Sequence, residues 1–479
     1  MTRAMNSQKW ALFLKINLGV FVLIVLQGCN SSQKQDREHL VFKYNEHSNI
    51  ATLDPAFARN PQTIWPSNQL FNGLVQLDDQ LNIQPDIAKS WRINDSTSTY
   101  TFTLRDDVYF HKNKVFKKDS TRSVVAQDFV FSFDRLLSPE LASPGSWVFN
   151  AVQRYHAAND STLVIQLNKP FPAFLGLLSM RYCSVVPKEA IAYYGNDFRS
   201  NPVGTGPFRF KFWEENVKLV LRKNPMYFEK DTQGNRLPYL EAVAITFLPD
   251  KQSEFLQFAQ GNIDFMTGLD NSYKDEIITT KGTLQPKYKD RVQLITTPYL
   301  NTEYLGFFMG STTKEIASPL IRQAINYGFD RKKMVTYLRN GMGIAATHGF
   351  IPKGLAGFDS IQGYSYNPEK ARALINTYKQ TTGATSIQVT IGTNSQYLDL
   401  CEYIQRELEK LGISIKIDVM PPATLRQLKS SGELDIFRAS WVADYPDAEN
   451  YLSLFYSPNF TPNGPNYTHF KNVVFDSLY

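Results

Sequence analysis

A chain of 479 residues is too long for one hydrophobic core and points to about three domains. Its 43% hydrophobic and 20% charged content is that of an ordinary globular protein, which excludes disorder as the default. The formal charge of +6 falls to +3 once residues 1–28 are set aside, which is too weak and too diffuse for a nucleic-acid partner.

Residues 1–28 read as a leader. Arg3, Lys9 and Lys15 precede an apolar run of 11 residues, Ile16 to Leu26, too short to stay in a bilayer as a permanent helix. The sequence Leu26-Gln27-Gly28-Cys29 resembles the lipobox of bacterial lipoproteins, which implies Cys29 as the lipidated first residue of the mature chain. An ordinary signal peptide with an incidental cysteine is the alternative. Loss of the leader removes three cations and no anion, taking the formal charge from +6 to +3. Residues 29–38 read as a polar tether. Cys183 and Cys401 lie far apart and read as two separately buried thiols.

Leu40–Tyr44 reads as a strand that stops at the turn Thr52-Leu53-Asp54-Pro55. A helix end follows near Gln69, with Gly73 as its left-handed stop. The alternation in Thr99–Leu104 and Thr162–Leu167 predicts half-buried antiparallel strands, with a helix over Gln127–Leu137 between them. Val203-Gly204-Thr205-Gly206-Pro207 opens a hairpin. No Lys-Ser/Thr follows the glycine pair and Pro207 removes a donor, so a tight backbone crossing is expected rather than a phosphate cradle. From Ile387 to Phe437 the order is βαβαβ, which predicts a doubly wound sheet with right-handed crossovers. Its last strand is expected at Leu434–Phe437. A polar turn and an amphipathic helix carrying Tyr451, Leu454 and Phe455 on one face should come next. The chain ends at Tyr479 in the first turns of a helix, with no later strand to finish the lobe, and so reads as truncated.

Asp444 stands between Trp441 and Pro446 near the exit of that last strand, where open α/β sheets place ligand groups. Asp444 and Asp447 also suit a helix N-terminus, with Pro446 as its first residue.

Several stretches in order resemble the peptide-binding receptors of bacterial ABC importers, the oligopeptide/dipeptide type of extracellular solute-binding protein (family 5). They are Leu53-Asp54-Pro55, Leu70-Phe71-Asn72-Gly73-Leu74, Pro85 to Trp91, Tyr100 to His111, Val203 to Phe208, Ile321 to Ala324 with Asp330-Arg331, and Trp441 to Tyr445. The resemblance covers about residues 40 to 479. It implies an α/β, bilobal, periplasmic-binding-protein-like fold of class II that closes on its ligand by hinge motion. The first lobe is discontinuous, with 39–78 and 185–270 flanking an inserted α+β domain over 79–184. Residues 271–479 form the doubly wound second lobe.

The resemblance also implies the site. Asp444 matches the residue that accepts a peptide's α-amino group, a charge-assisted hydrogen bond. The main chain of Ser440, Trp441 and Val442 would pair with the peptide as an added strand. Trp441 would wall a side-chain pocket, and Arg438 matches a residue that approaches the ligand carboxylate. Asn60, beside Arg59 and Pro61, lies in the loop that faces the cleft from the other lobe. The partners implied are a peptide, a permease and an ATPase, and a membrane through lipid on Cys29, in a monomer exported to the cell envelope. The open alternatives are a non-peptide ligand (oligosaccharide, metal chelate or opine) in the same fold, or a surface lipoprotein that signals or adheres. No cofactor or metal is expected, because the six histidines show no ligand spacing. No enzyme is expected either, because the nucleophile, zinc and phosphate motifs are missing.

Overall fold

The computed structural model describes residues 40–479, apart from 95, 97, 118, 119 and 270–272. The leader, Cys29 and the tether lie outside the described residues. The chain divides into two compact units, one ending at Gly268 and the other spanning Leu269–Tyr479.

In the first unit β1 (Val41–Glu46) leads to α1 (Pro61–Leu70). Asn60 caps α1: its side chain accepts from the Thr63 amide, Thr63 reciprocates, and Pro61 takes the first helical position. The expected stop at Gly73 is not used. The helix ends at Leu70, and Phe71 is already extended at φ −132°. The short strands β2 (Val75–Leu77) and β3 (Ile83–Pro85) pair with each other. A separate antiparallel sheet follows, made of β4 (Ala88–Ile93), β5 (Thr99–Leu104), β6 (Val152–Asn159) and β7 (Thr162–Leu167), in the order β4-β5-β7-β6. Alternate residues of β5 and β7 are buried, as their apolar period requires. The helix α2 (Ala126–Leu137) supplies Phe129 and Phe133 to that core and Arg135 to Asp54.

The chain then returns through the hairpin of β8 (Phe208–Glu214) and β9 (Lys218–Lys223) to β10 (Ala242–Phe247). These complete a sheet of order β1-β10-β9-β8, with β1 parallel to β10. The glycine pair before the hairpin is a backbone crossing, as expected. A Cβ on Gly204 would stand 2.0 Å from the Leu70 carbonyl oxygen, and one on Gly206 2.5 Å from that of Gln69. His111 seals the crossing. Its amide donates to the Gly204 carbonyl, its Nδ1 accepts from the Gly204 amide, and its Nε2 lies 3.0 Å from the Gly206 carbonyl. Burial pushes this imidazole down to about 4, so it is neutral and packs as a structural group.

Two carboxylates are buried where β1 meets α3 (Lys251–Ala259). Glu46 and Glu254 are both pushed up to about 7, chiefly by burial, with Glu254 repelling Glu46. Asn45 donates to Glu254, and Lys251 favours its ionised form. His47 Nε2 stands 3.1 Å from Glu254, and burial lowers its pKa. The folded values exceed the unfolded carboxylate range near 4. The pair therefore contributes its full stability below about pH 4 and loses it as pH rises through about 7. Thermal unfolding of Glu254→Gln should fall less steeply from pH 5 to 8 than that of the unsubstituted chain, by on the order of 1–3 kcal/mol. Parallel curves would contradict this.

The second unit is built on β11 (Asn301–Phe307), β12 (Gln388–Thr393), β13 (Ser414–Val419) and β14 (Ile436–Val442), in the order β11-β14-β12-β13. The helices α4 (Pro319–Tyr327), α5 (Arg331–Leu338) and α6 (Pro368–Thr382) precede β12. Then α7 (Leu398–Glu409) joins β12 to β13, and α8 (Pro422–Ser431) joins β13 to β14. The predicted βαβαβ unit is present, with β12 parallel to both β13 and β14. Ile321, Ile325, Ile391, Ile404, Leu408 and Ile436 form its core. Cys401 joins that core, and Cys183 is buried in the first unit, both as free thiols.

Candidate functional site

The sequence reading ended the last strand at Phe437, but β14 runs on to Val442. The reason is non-local: β11 arrives from 135 residues earlier and pairs with the whole of β14, antiparallel, from Asn301↔Val442 to Phe307↔Ile436. The polar turn expected at 438–442 is therefore strand.

This pairing fixes which backbone groups are free. In an antiparallel ladder, alternate residues exchange both hydrogen bonds with their opposite number. The Phe308 amide donates to Asp435 and the Ala443 amide to Leu300, so the residues of β14 bonded to β11 are Phe437, Ala439 and Trp441. Arg438, Ser440 and Val442 turn their amides and carbonyls to the other side. On that side β12 reaches only Ile436 and Phe437, and no described strand accompanies Ser440 and Val442. Both side chains are exposed. The main chain of Trp441, expected to pair with a ligand, faces Thr302 instead.

Strand alternation also separates the side chains. Arg438, Ser440 and Val442 share one face with Asn301, Glu303 and Leu305, and Trp441 lies on the other. There, half-buried, its indole Nε1 donates to Asn450 Oδ1 at 2.8 Å. The same oxygen accepts from the Asp444 amide at 3.2 Å. Asn450, almost fully buried, thus ties the strand to the loop that carries Asp444. Sequence reasoning missed it, since an amide six residues past the acid carries no motif. Tyr451 adds a second tie, donating to the Leu300 carbonyl at 2.6 Å.

Asp444 itself is solvent-exposed. Protein crowding on one side nevertheless raises its carboxyl pKa, with Asn450 acting in the opposite direction. It caps no helix. The helix α9 (Glu449–Leu452) begins three residues later than the Pro446 start, with Ala448 as its cap. Asp447 keeps the helix-terminal part, accepting from the Glu449 amide at 2.8 Å, and Glu449 accepts from Tyr445 and Tyr479.

Arg438 is buried at 8% exposure. Its guanidinium pairs with Glu303 and lies 3.0 Å from the centre of the Tyr397 ring. Burial pushes it down to about 9, which leaves it a cation at neutral pH. Asn60, in the first unit, is exposed, and its Oδ1 is committed to capping α1. The structure brings Arg438, Ser440, Trp441, Val442 and Asp444 together at one end of one sheet. Among the described residues no group of three or more His, Cys, Asp or Glu side chains is arranged to hold a metal ion.

Residues 82–463 match the family of bacterial extracellular solute-binding proteins, family 5 Middle. The chain belongs to this family. Its fold is accordingly the α/β, periplasmic-binding-protein-like one, and its role is that of a solute-binding receptor. Among curated relatives, this family 5 chain is 29% identical to the heme-binding protein A of Haemophilus influenzae, over 86% of this chain and 76% of that one. It is 24% identical to the glutathione-binding protein GsiB of Salmonella typhi, over 90% and 80%. Among solved structures it superposes on the ABC transporter-associated periplasmic binding protein DppA of Helicobacter pylori, in complex with the peptide STSA. There the TM-score is 0.71 at 25% identity, covering 91% of this chain and 85% of that one. HbpA2 of Haemophilus parasuis gives a TM-score of 0.75 at 24% identity, covering 91% and 87%, and so bears on the fold alone.

Proposed function

We propose that this family 5 receptor captures peptides for an ABC importer. Asp444 accepts the ligand's α-ammonium, and the Ser440 and Val442 edge of β14 pairs with the ligand main chain as an added strand. One observation carries this: two residues whose outward amides and carbonyls meet no described strand stand two and four positions before an exposed acid on a loop that Asn450 ties down. Backbone pairing recognises what all peptides share, and a carboxylate suits the one cation they share. Trp441 shapes the site by positioning Asn450, and Arg438 sits in a structural contact at its margin. The DppA structure named above holds a peptide, and the E. coli dipeptide-binding protein is 25% identical.

In this account Cys29 carries the lipid that holds the receptor at the cell envelope. A permease and an ATPase take the ligand onward, residues 79–184 form an inserted domain, and the receptor is a monomer. No catalytic step, cofactor or metal is assigned. A second reading, the same fold with heme as ligand, draws on the heme-binding relative at 29% identity. Calorimetry with a mixed set of di- to pentapeptides separates the two. Binding of some of the peptides is expected, and binding of heme with no response to any peptide would contradict the proposal.

A further inference from the structure

A peptide's terminal carboxylate would seek a cation, and Arg438 is the buried one on the sheet face beside the free edge. It is already neutralised. Glu303 and Ser440 are register partners, so Glu303 lies one step diagonally from Arg438 on the same face, and the two side chains form an ion pair. The other Glu303 oxygen accepts from Asn301 Nδ2 at 2.8 Å, so the carboxylate is held from both sides. The Tyr397 ring closes over the guanidinium.

We propose that Glu303 is a specificity-determining residue: by neutralising Arg438 it removes the ligand's terminal carboxylate from the groups this face recognises. This rests on the peptide reading above. An incoming carboxylate would have to displace one that Asn301 also holds. It would gain no net charge pairing and would leave two carboxylates side by side. A C-terminal amide, or a peptide group that continues the chain, brings no charge up against Glu303, whereas a terminal carboxylate does. The receptor therefore takes amidated peptides, or peptides that continue past this point, as readily as free acids.

The test is calorimetry on the full chain with di- to pentapeptides, each as free acid and as C-terminal amide. The ratio of the two affinities is the readout, because loss of structure lowers both together and leaves the ratio alone. Glu303→Gln keeps the shape and removes the charge, and Glu303→Ala removes both. Each should shift the ratio tenfold or more towards the free acid at one or more lengths. A ratio that neither variant moves at any length overturns the role of Glu303. A chain that binds no peptide in either form overturns the peptide reading itself, and this inference with it.

Discussion

Replacing Asp444 with asparagine is expected to weaken a free-amine peptide by about 1.5–3 kcal/mol, the range for a hydrogen bond to a charged group, or roughly ten- to a hundredfold in Kd. Asparagine keeps the size of the side chain and removes its charge. The Asp444 amide stays on Asn450, so the loop is still held. Crowding disfavours the ionised carboxyl in the free protein, so the substitution should leave the thermal midpoint unchanged or slightly raised. A bound ammonium reverses that balance by favouring the ionised form. Affinity for amine ligands should accordingly fall as pH drops through the titration of Asp444, a trend that the asparagine variant should lack. Unchanged affinity in the variant, with normal folding, would remove Asp444 from the site.

Arg135→Ala should cost about 3–5 kcal/mol of stability, the range for breaking a buried ion pair by removing one partner. Arg135 donates to both oxygens of Asp54, at 3.0 and 2.5 Å, with the side chains 13% and 6% exposed. Asp54 also caps the turn at Pro55 through the Ala56 amide. The contact joins α2, beside the β4–β7 sheet, to the segment between β1 and α1. Removing only the cation leaves a carboxylate in a site with little water to replace it. The double change Arg135→Met with Asp54→Asn should recover part of the loss, because no buried charge is then orphaned. Urea unfolding of the three proteins checks this. A single variant as stable as the parent would show that the pair is not buried in solution.

The parts of the fold that were legible in the sequence are those whose signal is local. Thr99–Leu104 and Thr162–Leu167 alternate because each buries one face, and the strands have the predicted bounds. Gly204 and Gly206 marked a backbone crossing because nothing larger fits there. The β12-to-β14 unit was legible from its two periods. What failed depended on distant chain. Arg438 to Trp441 alternate over only four residues, too short a run to tell strand from turn, and they are extended because β11 pairs with them. Gly73 suggested a helix stop, but α1 has already ended at Leu70, where Phe71 turns extended. The acid Asp444 was visible in the sequence, whereas Asn450 and Glu303 were not. Each works only through a contact the register creates, Asn450 with Trp441 and Glu303 with Arg438.

The central claim is that Asp444 holds a ligand's ammonium while the free edge of β14 holds its main chain. Calorimetry with one tight-binding peptide, as free amine and as N-acetyl derivative, tests it most directly. Acetylation removes the charge and leaves every following peptide group in place. The free amine should bind at least tenfold more tightly to the unsubstituted chain, and Asp444→Asn should abolish most of that difference. Equal affinity of the two forms for the unsubstituted chain would contradict the account.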